Sequence, residues 1–441
     1  MGWARVFMVD LALESELGGE IRLYDIDIEA AKRNELIGNR ITADDSSVGK
    51  WKYKTVQNLK EALIDADFVI TSILPDTFEY MRSDVHLPER LGIYQPVGDT
   101  VGPGGSIRAL RTIPEYVIFA EAIKEYAPEA WVINYTNPMS LCMRTLYHVF
   151  AGIKAIGCCH EVFSTQDMLA SMLKKETGEK PPREEIKVNV LGINHFTWFD
   201  SATYNDKDLM PLFARFAADY YEKGFPNDDI EKHEECFRYT NRVKFDLYKR
   251  YGLIAAAGDR HLVEFMPGEM YLKSHEDIKN WGFSLTSVDW RIDDREKRLE
   301  RAKRLAAGEE KIVLYGSEEE GIKLIKALCG LQSITTNVNL PNSALQVSNL
   351  PKDTIVETNA EFTKNNVKPV AAGRLPDNIY ALTLPHIKNQ SQILEAALTH
   401  NREDVYSAFE RDPLIHGRCT YNEIRKLADD MMKNTKISYP L

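Results

Sequence analysis

The sequence predicts an α/β fold whose first part is a doubly wound parallel sheet of the nucleotide-binding kind. Three observations lead to this prediction. Short runs rich in β-branched residues alternate with segments that carry apolar residues at helical spacing. An acidic residue, Asp25, stands near the end of the first of these runs. After about residue 160 the alternation gives way to longer helices and antiparallel-looking strands, which predict a second, α+β domain.

The individual elements follow in chain order. Four runs predict buried strands, at residues 21–27, 68–73, 131–135 and 154–159. Helical spacing predicts the crossover helices between them, at residues 29–40, 58–65 and 114–126. Farther on, the stretch 186–199 is typical of the antiparallel strands of the second part. We therefore predict a nucleotide-binding domain at 1–160 and a second domain at 161–441.

Composition excludes several classes of protein. The 441 residues are 44% hydrophobic and carry a net charge of −11, without the basic face that a nucleic-acid partner requires. No stretch reaches the roughly 18 uncharged apolar residues of a membrane span, and no secretory signal is recognisable. Six cysteines are too few for a disulfide scaffold, so we expect reduced thiols and a cytoplasmic protein.

Asp25 lies where a sheet of the Rossmann type places the acid that binds the adenosine ribose of a dinucleotide, at the end of its second strand. Of the glycine loop that precedes this strand only Gly2 is present, as the last glycine, and residues 3–14 predict the first crossover helix. The first strand is thus missing, and we expect Met1 to be an internal methionine of a longer parent. The alternative is that Asp25 is an ordinary turn residue and binds no nucleotide.

The stretch IGCCHEVF, residues 156–163, suggests a metal site at the end of a predicted strand. Cysteine thiolate and imidazole both bind transition metals, and Cys159 and His195 each follow a predicted strand. The residues alone leave the alternative open, because a buried cysteine is usually a small apolar residue and a strand histidine is often a satisfied core group.

Other polar stretches accompany these strand ends. The glycine-rich VGDTVGPGG at 97–105 offers backbone donors and little bulk, so a cofactor or a sugar fits against it, although such a stretch is more often a turn. NYTNPM at 134–139 contributes two asparagines. Asp259 follows a small apolar run, where a partly desolvated carboxylate can serve as a base, and surface pairing with Arg260 is the alternative.

In order along the chain, these stretches resemble glycoside hydrolase family 4, the NAD- and metal-dependent glycosidases. The resemblance runs through LYDID, VGDTVGPGG, NYTNPMS, GCCHEVF, GINHFTW and NLPKDTIVE, and so covers nearly the whole chain. It implies a Rossmann-like NAD-binding domain followed by a lactate-dehydrogenase-like catalytic and oligomerisation domain. It further implies a homodimer or tetramer acting on a small carbohydrate.

The resemblance also implies residue roles. Cys159 and His195 hold the metal, usually Mn2+, and Cys158 is then a packing residue. Asp259 takes the place of the catalytic base. His160 takes that of the leaving-group acid, although it is equally suited to support a metal ligand.

Three further contacts are implied in the same way. Asn134 takes the place of a cofactor contact, and Asn137 that of a sugar contact. Arg82 is a less certain substrate contact.

The implied reaction is unusual for a glycosidase, because it does not use a pair of carboxylates. NAD+ oxidises C3 of the sugar, a base removes the proton at C2, the aglycone leaves from C1, water adds, and NADH returns the hydride. The form CHEV resembles the α-galacturonidase group, which makes an α-galacturonide the expected substrate. The α-galactosidases, α-glucosidases and α-glucuronidases of the family are the nearest alternatives.

Two further possibilities lie outside glycosidase activity. A 2-hydroxy-acid dehydrogenase shares the expected fold but uses no metal thiolate. A binding protein that has lost its cofactor site is the other.

Overall fold

The computed structural model describes residues 2–225, 235–317 and 319–439. Twelve strands lie in this described part of the chain. They are β1 (Gly18–Leu23), β2 (Lys50–Thr55), β3 (Phe68–Thr71), β4 (Trp131–Asn134), β5 (Lys154–Gly157), β6 (Lys187–Ile193), β7 (Phe196–Tyr204), β8 (Lys207–Asp208), β9 (Ile254–Ala255), β10 (Ile334–Pro341), β11 (Ile355–Thr363) and β12 (Asn366–Pro369).

Helices separate and cover these strands. In the first part of the chain they are α1 (Gly2–Ala12), α2 (Ile28–Thr42), α3 (Leu59–Leu63), α4 (Phe78–His86), α5 (Gly102–Tyr126), α6 (Met139–Val149) and α7 (Glu161–Thr177). Later ones are α8 (Met210–Tyr220), α9 (Arg242–Tyr251), α10 (Asp259–Leu262), α11 (Gly268–Tyr271), α12 (His275–Trp281), α13 (Val288–Ala307), α14 (Gly321–Cys329), α15 (Asp377–Thr399), α16 (Arg402–Arg411) and α17 (Tyr421–Asn434). None of the described helices is both long and apolar enough to cross a membrane.

The central sheet has six strands in the order β12-β11-β10-β5-β4-β3. Strands β3, β4 and β5 are parallel, whereas β10 to β12 pair antiparallel and join them where Asn339 faces Gly157. Apolar residues from both groups, such as Ile156 and Val338, share one buried cluster. The α/β fold class is thereby confirmed, whereas the domain boundary at 160 stays a prediction.

Strands β1 and β2 form a separate parallel pair. The predicted strand at 21–27 is displaced, since β1 ends at Leu23 and the chain turns directly into α2. Asp27 causes this early end, because its carboxylate accepts the Ala30 amide hydrogen and caps the helix. Asp25 therefore lies in the exposed turn that follows β1, where its Oδ1 accepts the Asp27 amide hydrogen at 2.8 Å.

Helix α5 is longer than the sequence predicts. It begins at Gly102 inside the glycine-rich stretch and continues to Tyr126, whereas helical spacing predicted only its second half. Glycine and proline usually mark turns, so the sequence pattern hides the start of this helix. Pro103 is nevertheless compatible with it, because it lies in the first helical turn, where its missing N–H leaves no hydrogen bond unmade. Gly105 is also required, because a Cβ there would lie 2.6 Å from the Thr100 carbonyl carbon.

A third, antiparallel sheet consists of β6, β7, β8 and β9. Its main hairpin turns at Asn194 and His195, between β6 and β7. The turn needs Gly192, with φ of 143°, because a Cβ there would meet the Phe196 carbonyl oxygen at 2.4 Å. The hairpin brings its two turn residues to the carboxyl end of the parallel strand β5.

Candidate active site

Asp99, His195 and His261 form a compact group of side chains at this edge of the sheet. One ligand atom from each lies within 4.8 Å of the others. Asp99 comes from the loop before α5, His195 from the turn of the β6–β7 hairpin, and His261 from α10. A carboxylate and two imidazoles are a donor set that suits a divalent transition metal such as manganese.

The His195 ring is held on two sides. Its Nδ1 lies 2.8 Å from the Thr100 hydroxyl, and its centroid lies 3.8 Å from that of His261. The backbone φ of 62° is in the left-handed region, which costs a non-glycine residue of order 1 kcal/mol or more. Burial, followed by the neighbouring His261, lowers the pKa of His195 to about 3, so the ring is neutral and has a free lone pair.

Asp99 remains ionised within this group. Burial alone would raise its pKa, but the guanidinium of Arg108 and the two imidazoles outweigh burial and hold the pKa well below its usual range. Its oxygens accept hydrogen bonds from Thr100 Oγ1 at 2.7 Å and from Asn137 Nδ2 at 3.3 Å. Asn137, predicted as a sugar contact, thus lies directly beside the group.

Glu161 connects the Cys-Cys-His-Glu segment to the segment that carries His261. Its Oε2 accepts the Gly258 amide hydrogen at 2.7 Å, and its Oε1 lies 3.7 Å from His261 Nε2. Burial would raise the pKa of Glu161, but the surrounding imidazoles outweigh it and lower the value to about 2. The ionised glutamate therefore holds this loop through its hydrogen bond to Gly258. Being negatively charged, it cannot bind the carboxylate of a uronic acid.

The two adjacent cysteines have different surroundings. Cys158 packs against the apolar cluster that contains Ile156. Cys159 is hydrogen-bonded by Asn194 and lies near the carboxylates of Glu357 and Glu161. Burial raises the pKa of the Cys159 thiol well above its usual range, so a metal would have to displace a proton to bind the sulfur.

The group of three ligand atoms does not include the Cys159 sulfur. Cys159 and His195 nevertheless share a neighbour, because both interact with Glu161. Their pairing at one metal stays a prediction.

Asp259, predicted as the base, is fully buried at the first turn of α10. Its Oδ1 accepts the Lys244 amide hydrogen at 3.1 Å, while its Oδ2 has no hydrogen-bond partner among the described residues. Burial raises the pKa of Asp259 to about 6, against the opposing effect of the Lys244 ammonium. That ammonium is itself buried and donates to Thr165 Oγ1 at 2.6 Å.

His160, predicted as the acid, occupies the N-cap position of α7. Its Nδ1 lies 3.3 Å from a carboxylate oxygen of Glu319, and its side chain is 59% exposed. The hydrogen bond to Glu319 raises the pKa of His160, so the imidazole carries a proton at neutral pH. The side chain thus has a proton to donate and access to solvent.

The predicted cofactor contacts lie along the sheet edge. Asp25 is exposed just beyond the carboxyl end of β1, the position at which a Rossmann-like sheet receives the adenosine ribose. Gly2 is the first residue of α1. Both assignments as cofactor contacts stay predictions.

Asn134 is fully buried at the end of β4, and its amide is used within the protein. Its oxygen accepts from the hydroxyls of Thr71 and Tyr116, and its nitrogen donates to the Thr136 carbonyl at 3.1 Å. Its role as a cofactor contact therefore rests on its place at the strand end and not on a free amide.

Arg82 lies apart from these groups, on the surface of α4. Its guanidinium forms ion pairs with Glu79 at 3.2 Å and with Asp289 at 2.7 Å. No contact among the described residues joins it to the His195 group. Its role as a substrate contact stays a prediction that these contacts do not favour.

Sequence reasoning missed several residues of this region. Asp99 was hidden inside a glycine-rich stretch, and Lys244 lies in a different helix from Asp259 without any local motif. Glu357 accepts from Asn194 at 3.2 Å and from Asn337 at 2.7 Å, and burial raises its pKa to about 7. Two ordered motifs gave a signal, since VGDTVGPGG contains Asp99 and NLPKDTIVE ends at Glu357, whereas none pointed to Lys244.

Family models and individual known proteins are similar to this chain over most of its length. The model of the family 4 glycosyl hydrolases matches residues 1–175, and that of the family 4 glycosyl hydrolase C-terminal domain matches residues 190–415. An α-galacturonidase of Lachnoclostridium phytofermentans is 56% identical over 440 residues, which are 100% of this chain and 94% of the relative. An α-galacturonidase of Bacillus subtilis is 49% identical, covering 98% and 94%. An α-galactosidase of the same organism is 28% identical, covering 97% and 94%.

Solved structures show the same fold. The crystal structure of the Bacillus subtilis protein LplD has a TM-score of 0.92 at 49% identity, covering 98% of this chain and 96% of that one. A 6-phospho-α-glucosidase from gut microorganisms, in complex with NAD and Mn2+, has a TM-score of 0.78 at 21% identity, covering 96% and 92%.

Proposed function

The chain belongs to family 4 of the glycosyl hydrolases, and on this premise we propose that it is an α-galacturonidase that uses NAD and a divalent cation, Mn2+ being the expected one. One observation carries the choice of substrate. Two α-galacturonidases are 56% and 49% identical over practically the full chain, whereas the Bacillus subtilis α-galactosidase is 28% identical over a similar length. The substrate is thus an α-linked galacturonic acid.

The metal assignment is supported by the chemistry of the donor set. His195 offers a neutral imidazole, Asp99 an ionised carboxylate, and His261 Nδ1 is buried without a partner. We propose His195 and Cys159 as metal ligands, with Asp99 and His261 as further donors to the same cation. When bound, Mn2+ supplies a Lewis acid for negative charge on sugar hydroxyl oxygens.

The cofactor assignment rests on the sheet edge and on the family. A 6-phospho-α-glucosidase of the same fold was crystallised with NAD, which supports a dinucleotide here. Asp25 would hold the adenosine ribose beyond β1, and Gly2 at the start of α1 and Asn134 at the end of β4 would be the other contacts. NAD, when bound, accepts a hydride from the sugar and returns it.

The proton transfers fall to two side chains whose pKa values are both raised above their ordinary ranges. Asp259, with a pKa of about 6, is ionised at neutral pH and accepts a proton from the sugar carbon C2. His160 is protonated at the same pH through Glu319 and donates to the departing glycosidic oxygen. One pH range thus provides both the base and the acid.

The experiment measures release of p-nitrophenol from the α-galacturonide, with and without NAD+, Mn2+ and reductant. We expect turnover that needs all three additions and no net formation of NADH. Much faster cleavage of the α-galactoside or α-glucoside would overturn the substrate but not the family. Net NADH formation from a hydroxy acid in the presence of chelator would instead indicate a dehydrogenase.

Two coarser properties complete the proposal. The six cysteines are all free thiols, which supports a reducing, cytoplasmic compartment. We also propose a homodimer or homotetramer, which light scattering on the purified protein tests directly.

A further inference from the structure

An α-galacturonide differs from the corresponding galactoside by a carboxylate at C6, and a buried carboxylate needs a cation opposite it. In a pyranose ring C6 lies across the ring from the hydroxyls on C2 and C3. A cation that recognises it must therefore lie about one ring width from the Asp99–His195–His261 group. The cations around Asp99 are the candidates.

Three arginines surround this part of the site. Arg108 and Arg260 are 9% and 8% exposed, and Arg291 lies on α13. Asp99 interacts electrostatically with Arg108 and Arg291, and Arg260 interacts with Arg291 and with Glu161. Three positive charges are thus concentrated beside one ionised aspartate.

Two of the arginines already have acceptors. Arg260 donates from Nε to the Ser284 carbonyl at 3.1 Å and from Nη2 to the Pro96 carbonyl at 2.8 Å. Arg108 donates from Nε to the Asn137 carbonyl at 3.2 Å. These two guanidinium groups hold the loops of the site together.

Arg291 is different. Its Nε is buried without any hydrogen-bond partner, and its guanidinium forms no ion pair with any carboxylate of the described residues. The side chain is only partly exposed, and its guanidinium donates no hydrogen bond to the described residues, so it has donors left for an anionic partner that the chain itself does not supply.

The two carboxylates that attract Arg291 electrostatically, Asp99 and Glu264, do not bond to it. Asp99 is engaged with Thr100 and Asn137. Glu264 uses its Oε1 to accept the amide hydrogens of Val97 and Gly98, and burial raises its pKa to about 8, so at pH 7 it is mostly neutral. Asp99 and Glu264 thus attract Arg291 through space without hydrogen-bonding to it, and the donors of its guanidinium stay available for another anion.

We propose that Arg291 binds the C6 carboxylate of the substrate and so selects uronides over neutral glycosides. This inference rests on the proposed function, since it assigns a residue to the group that distinguishes that substrate. A guanidinium suits a carboxylate because its planar fork donates two parallel hydrogen bonds. Arg260 interacts electrostatically with Arg291 and adds positive potential, while its own donors are used by backbone carbonyls.

The test uses the full-length protein with NAD+ and Mn2+ and compares Arg291→Gln with Arg295→Gln. Arg295 lies one turn farther along α13 and is exposed, so it is a matched control. For Arg291→Gln we expect the KM for p-nitrophenyl α-galacturonide to rise by about 10- to 100-fold, because one or two charge-assisted hydrogen bonds to the substrate are lost. The residual turnover of the α-galactoside should stay within about twofold of wild type, since that sugar has no charge to lose.

Calorimetry separates this inference from the proposed function. Free galacturonate should bind about 10- to 100-fold more weakly to Arg291→Gln, and galactose equally to both proteins. If wild type binds galacturonate through Arg291 but cleaves no galacturonide, the proposed function fails and the binding site stands. If wild type cleaves galacturonide and Arg291→Gln has an unchanged KM, Arg291 is not the carboxylate ligand.

Stability of the variants is checked by thermal unfolding. We expect Arg291→Gln to melt close to the wild-type temperature, because the guanidinium is partly exposed and forms no hydrogen bond with the described residues. Should it fail to fold, Arg291→Lys keeps the charge but loses the planar fork, and its KM should still rise severalfold. An unchanged KM in Arg291→Lys together with unchanged galacturonate binding would overturn the assignment.

Discussion

Replacing Lys244 by methionine tests how the site sets the proton affinity of Asp259. Lys244 is only 1% exposed, and its ammonium opposes the burial that raises the pKa of Asp259. Methionine has a similar length and no charge, so the substitution leaves burial in place and removes the opposing effect. We expect the pKa of Asp259 to rise from about 6 toward the value of about 8 known for buried carboxylates that lack a partner.

The size of the effect follows from the ionised fraction of the base. With a pKa of about 6, Asp259 is ionised in roughly nine tenths of the molecules at pH 7. With a pKa of about 8 the fraction falls to roughly one tenth, which predicts about a tenfold loss of kcat/KM at pH 7. Because the base must be ionised, activity is lost as the pH falls through its pKa. The variant should therefore lose activity at a pH about two units higher than wild type.

The assay is the ratio of variant to wild-type kcat/KM between pH 5.5 and pH 9, at about half-unit steps. The ratio should return toward unity at the alkaline end, where Asp259 is ionised in both proteins. Lys249→Met is the matched control, since Lys249 is exposed on the same helix and contacts the Tyr221 ring. A pH-independent ratio, or the same profile in both variants, would refute the reasoning.

The remaining predictions concern the metal and the core. Cys159→Ser should weaken Mn2+ binding by at least about 10-fold, whereas Cys158→Ser should leave it unchanged. A Mn2+ titration followed by electron paramagnetic resonance measures both affinities. Equal losses in two folded variants would contradict the assignment of Cys159 as the ligand. Asp84→Asn should lower the free energy of unfolding by about 3–5 kcal/mol in urea titrations, because Asp84 is fully buried and paired with Arg111. Glu29→Gln breaks an exposed pair and should cost less than about 1 kcal/mol; a similar cost for both would show that burial does not matter here.

Much of the fold could be predicted from local pattern. Strands β3, β4 and β5 begin at the predicted residues 68, 131 and 154, because a buried strand is marked by the residues it contains. The limits of β1 and α5 could not be predicted in this way. The cap that Asp27 forms on the next helix ends β1, and the close contact between Gly105 and Thr100 shapes the start of α5. Helix caps and close contacts depend on residues that are neighbours in space, and the spacing of apolar residues along the sequence does not identify these neighbours.

The site shows the same division. The sequence by itself distinguished His195, Cys159 and Asp259 as candidates, since ordered motifs name residue types and positions. The tertiary structure alone decided their partners. It brought Asp99 and His261 to His195, placed Lys244 beside Asp259, and left the Arg291 Nε without a hydrogen-bond partner among the described residues. Proton affinity, metal binding and substrate charge depend on burial and on distances of a few ångströms, and only the folded chain determines these.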